Sequence, residues 1–253
     1  MTSVLRILER LWLPVVLIAV WWIGSANSTN PYVPSLEKIS TTLWRDIVEG
    51  GILNGAMFSL TNLAVGLGAA IVIGVGIGLL LGESKWLFDT VSPLIHFIRS
   101  VPQAALVPLI IGAFGIGAGP KMWAIGFACV WPILLNTIDG VLGVELTIRR
   151  VSKVYRVPRG LYFRKVVLPA AMPQIVAGVR VALPIGIVVM VVSELFAAKE
   201  GLGYYILNNS SRFKVPETWA GALLVGVIGY LLSLLFVVIE RRVLRWYFLS
   251  GAK

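Results

Sequence analysis

The groups from which active sites and covalent scaffolds are built are nearly missing from this chain. Its 253 residues contain one cysteine, Cys129, and one histidine, His96. A lone cysteine cannot close an intrachain disulfide, and a lone histidine leaves no cluster with metal-ligand spacing. Charge is scarce too: Asp, Glu, Lys and Arg make up 13% of the residues, about half the share of a soluble domain. The carboxylates are scattered and offer no nucleophile, base and orienting group at related positions, so no intrinsic catalysis is expected, lipid chemistry included. Glycine runs are present, but none leads into Gly-Lys-Ser/Thr, so a phosphate-binding loop is excluded as well.

What is there is apolar. Hydrophobic residues reach 58% and mean hydropathy is +0.88. The runs Gly50 to Gly82, Ser100 to Pro120 and Thr218 to Ile239 hold no charge, and each reaches the roughly 20 residues that cross a bilayer. The pattern predicts an all-α polytopic membrane protein with six spans: Leu11 to Ala26, Met57 to Leu81, Thr90 to Phe114, Met122 to Val141, Ile175 to Ala198 and Trp219 to Ile239. Arg6, Arg10, the apolar Leu11 to Trp22 and Gly24-Ser25-Ala26 could also be read as a cleavable leader. Trp21 and Trp22 suit an interfacial belt and favour an uncleaved first span. Arg99, Pro102 and Pro108 interrupt the third span, and such a segment must face protein or an aqueous path. One membrane domain, residues 1–253, accounts for the chain.

The formal charge of +10 does not imply nucleic acid, because its location matters more than its sum. Fourteen Lys and Arg residues fall on one set of connecting segments, among them Arg6, Arg10, Lys85, Arg241 and Lys253, and six on the other. The richer side should be cytoplasmic and should hold both termini. In the second span Gly66, Ala70, Gly74, Gly78 and Gly82 recur every fourth residue, which aligns small groups on one helix face for close backbone approach. Gly115 to Gly119 reads as a short external turn ended by Pro120.

Half of the fourteen lie between Arg149 and Lys165, in the stretch TIRRVSKVYRVPRGLYFRK. It is too charged to cross lipid, and its interleaved Val151, Val154, Tyr155, Leu161 and Phe163 predict short amphipathic helices broken near Val157-Pro158. Two readings stand on composition: a surface docked on a protein partner, or a basic loop on anionic lipid.

LYFRKVVLPAAMPQIVAGVRVAL from Leu161 to Leu183 resembles the cytoplasmic loop and following helix of binding-protein-dependent ABC importer permeases, in particular the nitrate/sulfonate/taurine group. RSVPQAALVPLII (Arg99 to Ile111), FGIG (Phe114 to Gly117), WPILLNTIDGV (Trp131 to Val141), SELFAAKEGLGY (Ser193 to Tyr204) and ERRVLRW (Glu240 to Trp246) are similar to the same family in the same order. The resemblance implies the type I ABC importer permease fold in a bacterial cytoplasmic membrane. It also implies a second permease copy, two ATP-binding subunits and an extracytoplasmic solute-binding protein, with ATP and Mg bound on the ATPase and no cofactor on this chain.

The resemblance makes residues 147–169 the coupling loop, with Arg149, Arg150, Val151, Ser152, Arg156, Gly160, Leu168 and Pro169 as ATPase-facing candidates. Where the family usually has Glu-Ala-Ala this chain has Arg150-Val151-Ser152, and where it usually has glycine it has Arg156. An ATPase groove more acidic than usual would match that change. Charged and polar groups at membrane depth are functional candidates by default. Arg99, Gln103, Asn136 and Glu194 are therefore the candidates for a translocation path or gate. Arg99 either lines a path for an anion or pins the broken span, with Asp139 as a possible partner. Glu194 either serves a gate or holds the following Gly-Leu-Gly-Tyr turn. Arg180 lies too far from Glu194 along the fifth span to pair with it, and is expected to reach the cytoplasmic surface. The solute implied is a small anion such as nitrate, a sulfonate or taurine. The alternative is a self-contained channel or secondary transporter using Arg99, Asp139 or Glu194 for ion coupling.

Overall fold

A computed structural model describes residues 3–250 apart from 27, 29 and 198; Ala198 and Lys253 lie outside the described residues, as do the side chains of Arg6 and Arg10. The described residues form helices α1 (Ser3–Ala26), α2 (Leu36–Val48), α3 (Gly51–Glu83), α4 (Lys85–Ser100), α5 (Gln103–Phe114), α6 (Ala118–Leu142), α7 (Leu146–Val154), α8 (Arg159–Tyr162), α9 (Leu168–Ala197), α10 (Leu202–Ser211), α11 (Val215–Val243) and α12 (Arg245–Ser250). A π-helical turn, Phe163–Val167, joins α8 to α9.

Four helical stretches are long and apolar enough to cross a membrane: α3, α6, the continuous stretch 159–196, and α11. Helices α4 and α5 make a fifth only as a pair, bent by 87°. The interrupted third span expected over Thr90 to Phe114 is thus two helices, beginning earlier at Lys85. The break lies at Val101-Pro102, because proline forces its predecessor out of the helical region, and Val101 is extended at φ −75°, ψ 128°. Pro108 does not break the chain but sits inside α5. Helix α1, with its apolar stretch Val15–Ala26, takes the place of the expected first span. Gly115 caps α5 at φ +83°, and Pro120 lies in the first turn of α6 instead of ending the connecting turn.

The core is a packed trio of α3, α6 and α9, and the four-residue stripe explains why α3 and α6 approach so closely. A Cβ on Gly66 would lie 2.7 Å from the Met122 carbonyl oxygen, and one on Gly78 or Gly82 would lie 2.6 Å from Cβ of Thr137 or Val141. Each approach is tighter than atoms tolerate, so only a missing side chain permits it. Helix α9 closes on the other face of α6 at Gly140 and Gly178, where an added Cβ would lie 2.9 Å from the Ala171 carbonyl oxygen and from Asn136 Cβ. Ile125, Ala128, Cys129, Ile133, Ala182 and Met190 are buried between the helices. With lipid outside as apolar as the side chains, this packing is held by van der Waals contact more than by water exclusion.

The outer surface follows the opposite rule from a soluble protein. Leu231, Leu234, Leu235 and Val238 of α11 are exposed, and no residue of that helix's most apolar window is buried. That is the face a hydrocarbon solvent accepts.

Candidate functional site

The polar residues of the spans separate into two arrangements. In the first, Glu194 on α9 is 1% exposed. Its Oε2 accepts a hydrogen bond from Ser59 Oγ on α3 at 2.8 Å and from the Gly203 N–H at 2.9 Å. Ser59 Oγ in turn accepts from the Leu202 N–H at 2.9 Å. The turn that supplies these donors wraps the carboxylate so closely that a Cβ on Gly201 would stand 2.4 Å from Glu194 Cδ. Gly201 also has φ +119°, a backbone region that glycine enters at no steric cost. Glu194 thus joins α3, α9 and the start of α10, while the buried Lys121 places its ammonium 5.0 Å from the centre of the Phe58 ring nearby.

The second arrangement is open. Arg99, Gln103 and Asn136 line one cavity of about 540 Å³ together with Asp139, Trp131, Val181 and Ile185. The break at Val101-Pro102 creates it, by turning the end of α4 and the start of α5 across α6 and α9. Asn136 Nδ2 donates to the Pro132 carbonyl at 2.8 Å. Arg99 and Asp139 share the cavity without an ion pair between them or with any other described residue. A smaller recess of about 310 Å³ continues past Gln103 and Ile185 to Val188 along α9. Of the four path candidates, the structure brings three together and places Glu194 elsewhere.

At the far end of α9 the basic loop forms two short helices separated at Val157-Pro158. Arg149 faces inward: Nε donates to the Val144 carbonyl at 3.3 Å, Nη2 donates to the Val141 carbonyl, and Nη1 lies 3.9 Å from Glu83 Oε1. It thereby serves the carbonyls that the end of α6 leaves free. Arg150, Val151, Val154, Tyr155 and Gly160 face outward and are exposed, while Ser152, Leu168 and Pro169 are half-buried. Helix α7 ends with Val157 N donating to the Ser152 carbonyl at 3.0 Å and Arg156 N to the Lys153 carbonyl at 3.1 Å. This is the Schellman pattern, whose left-handed position usually holds glycine. Arg156 occupies it at φ +49°.

Several participants were missed in the sequence. Ser59 and Asn62 are buried polar residues on the span facing Glu194, and a polar pair three residues apart in an otherwise apolar run was the available signal. Arg180 pairs with Glu240 of α11, a partner sixty residues away that no local pattern announces. Outside the spans, Tyr205 donates to the Asp46 carboxylate; burial, reinforced by that bond, pushes the phenol above its ordinary range.

This fold is the one seen in ATP-driven importer permeases. The methionine ABC transporter MetNI in an inward-facing form matches with a TM-score of 0.67 at 19% identity, covering 78% of this chain and 98% of that one. An amino acid ABC transporter crystallised with histidines matches at 0.61 and 16% identity, covering 83% and 99%. Residues 70–246 match the family described as binding-protein-dependent transport system inner membrane component, and the chain belongs to that family. Among similar proteins are the nitrate import permease protein NrtB of Synechocystis, 28% identical over 89% of this chain and 85% of that one, and the taurine transport system permease protein TauC of Escherichia coli, 28% identical over 92% and 87%. The bicarbonate transport system permease protein CmpB of Synechococcus elongatus is also 28% identical, over 90% and 86%.

Proposed function

We propose that this chain is the solute-conducting subunit of an importer assembled from two permease copies, two ATPase subunits and an external solute-binding protein. The solute is a small one of the kind its relatives are named for: nitrate, a sulfonate, taurine or a similar acid. ATP and Mg bind the ATPase, and the basic loop and both termini face the cytoplasm.

The observation that carries this reading is the uncovered loop. Leu146, Val151, Val154 and Tyr155 are exposed on α7 and its end beside Arg150, Lys153 and Arg156. A surface both apolar and basic suits a protein groove with acidic residues better than it suits water. Mechanical continuity supports the reading further. The helix from 159 to 196 is unbroken, and at about 1.5 Å per residue Arg159 lies roughly 33 Å from Val181. Displacement of α8 by a closing ATPase pair would therefore move the wall of the Arg99 cavity. Its other end carries Glu194, which holds the Gly201 to Gly203 turn to α3, so the lever has a fixed point. Alternating access follows if the loop moves one end while that lock holds the other.

A mild-detergent pull-down of the tagged chain from its host tests the proposal. Stoichiometric recovery of a Walker-motif ATPase, lost when residues 150–157 are replaced by a neutral linker, is the expected result. A stable chain that transports with no ATPase attached would establish a channel or secondary transporter instead.

A further inference from the structure

Helix α4 differs in kind from the spans around it. The exposed faces of α3 and α11 carry Val72, Ile77, Leu231 and Leu235, whereas α4 carries Asp89, Ser92, His96 and Arg99, spaced three, four and three residues apart. At about 3.6 residues per turn these four share one face, and Leu87, Val91, Leu94, Ile95 and Ile98 share the opposite one.

Its course differs as well. Helix α5 follows α6 in the antiparallel sense: Phe114 at its end lies with its ring 6.1 Å from that of Trp123 near the start of α6, while Gln103 at its beginning shares a cavity with Asn136 farther along. Bent 87° from α5, α4 therefore lies across the spans. Ile95 sets its level, being buried against Leu81 and Ile138, each about one turn or less from the end of its own helix. Helix α4 thus crosses the bundle where α3 and α6 run out, at one membrane surface.

A helix with one polar and one apolar face belongs, in that position, at the boundary between head groups and hydrocarbon. A groove of about 610 Å³ between α3, α4 and α6 fixes which way it faces. Leu94 and Ile98 line the groove from α4, Ile73 and Ile77 from α3, and Phe127 and Leu134 from α6; none of its lining residues is charged. From Leu81 to Gly66 it runs about 22 Å along α3, more than one leaflet of a hydrocarbon core roughly 30 Å thick. Water would find almost no polar partner there, and a bilayer places acyl chains at that depth.

We propose that α4 is an interfacial helix, with the face of Asp89, Ser92, His96 and Arg99 in head-group water, and that the groove beneath it seats a phospholipid acyl chain. The proposal rests on the spans alone and not on the importer reading. Because α4 ends at the Arg99 cavity, a chain held beneath the helix also sets the height of that wall.

The test labels single cysteines with bimane in the full-length chain in nanodiscs: Asp89→Cys, Leu94→Cys and His96→Cys on α4, and Leu234→Cys as an ordinary lipid-facing position. All four positions are exposed, and the wild type, whose one cysteine is buried, is the labelling blank. Iodide in the buffer should quench the labels at positions 89 and 96 and spare 94. Phosphatidylcholine brominated mid-chain should quench those at 94 and 234 and spare 89 and 96. Adding Ala69→Phe, which narrows the groove from α3, should lose the bromine quenching at 94 and keep it at 234. Bromine quenching at 89 and 96 would overturn the interfacial placement. A label at 94 reached by neither quencher would put protein, such as a second copy, in the groove, and bromine quenching there that survives Ala69→Phe would leave no seat. The first comparison needs no groove variant, so the folding of Ala69→Phe does not decide it. Neither ATPase nor transport enters the assay, so a failed pull-down leaves this proposal standing and its own failure leaves the importer reading standing.

Discussion

Glu194 on α9 and the cavity shared by Arg99 of α4 and Asp139 of α6 place charge on the helical core and treat it in opposite ways. Glu194 is enclosed in a turn with no spare volume, where Oε2 holds donors from Ser59 and Gly203 and Oε1 is buried without a hydrogen bond. Arg99 and Asp139 face open space with no internal partner. The difference teaches how to tell a structural charge from a working one. A charge whose hydrogen bonds are all internal fixes the chain, whereas one left unpaired beside a cavity is available to something that comes and goes.

The contrast breaks most visibly if the enclosed site is opened. Glu194→Ala removes a charge-assisted bond and strands the Gly203 N–H, and should cost about 3 kcal/mol or more. The measurement is thermal unfolding in detergent, and a melting temperature equal to wild type would show that Glu194 is not the lock. Gly203→Ala should follow at about 1–3 kcal/mol, because the added Cβ would lie 2.5 Å from the Val191 carbonyl oxygen. A crystal structure of that variant should show the turn displaced from Glu194.

Charge reversal at Arg150 and Arg156 together should leave unfolding unchanged and abolish ATPase copurification, since both side chains are exposed. Retained copurification would place docking elsewhere. Arg156→Gly should do the reverse of harm: relieving the left-handed conformation at φ +49° is worth about 1 kcal/mol locally. Slower amide exchange across residues 150–157 would register it. The smallest effect belongs to the open site, where Asp139→Asn should shift unfolding by less than about 0.5 kcal/mol. A large loss there would make Asp139 structural and erase the contrast with Glu194.

The four-residue stripe from Gly66 to Gly82 was legible because a helix face is a local, periodic property. So was the break of the basic loop at Val157-Pro158, where proline chemistry acts on its immediate neighbour. The bend of the third span was half legible: Pro102 announced an interruption, but not an 87° turn, which depends on what α6 and α9 leave room for. Arg149 was grouped with the ATPase-facing loop residues because the family resemblance covers the whole loop. Only the position of the end of α6 turns it inward, onto the Val141 and Val144 carbonyls.

By itself the sequence determined the class of molecule: apolar runs of spanning length, a stripe of small residues, a lopsided distribution of Lys and Arg, and ordered motifs resembling a permease family. These properties are carried by composition and by neighbours along the chain, so they need no fold to be read. The tertiary structure decided which charges are spent and which are free. It joined Ser59 to Glu194 and Arg180 to Glu240, and left Arg99 and Asp139 facing one cavity. Ion pairs and hydrogen bonds act over a few ångströms, and helices bring together residues that are 60 to 135 positions apart in the chain.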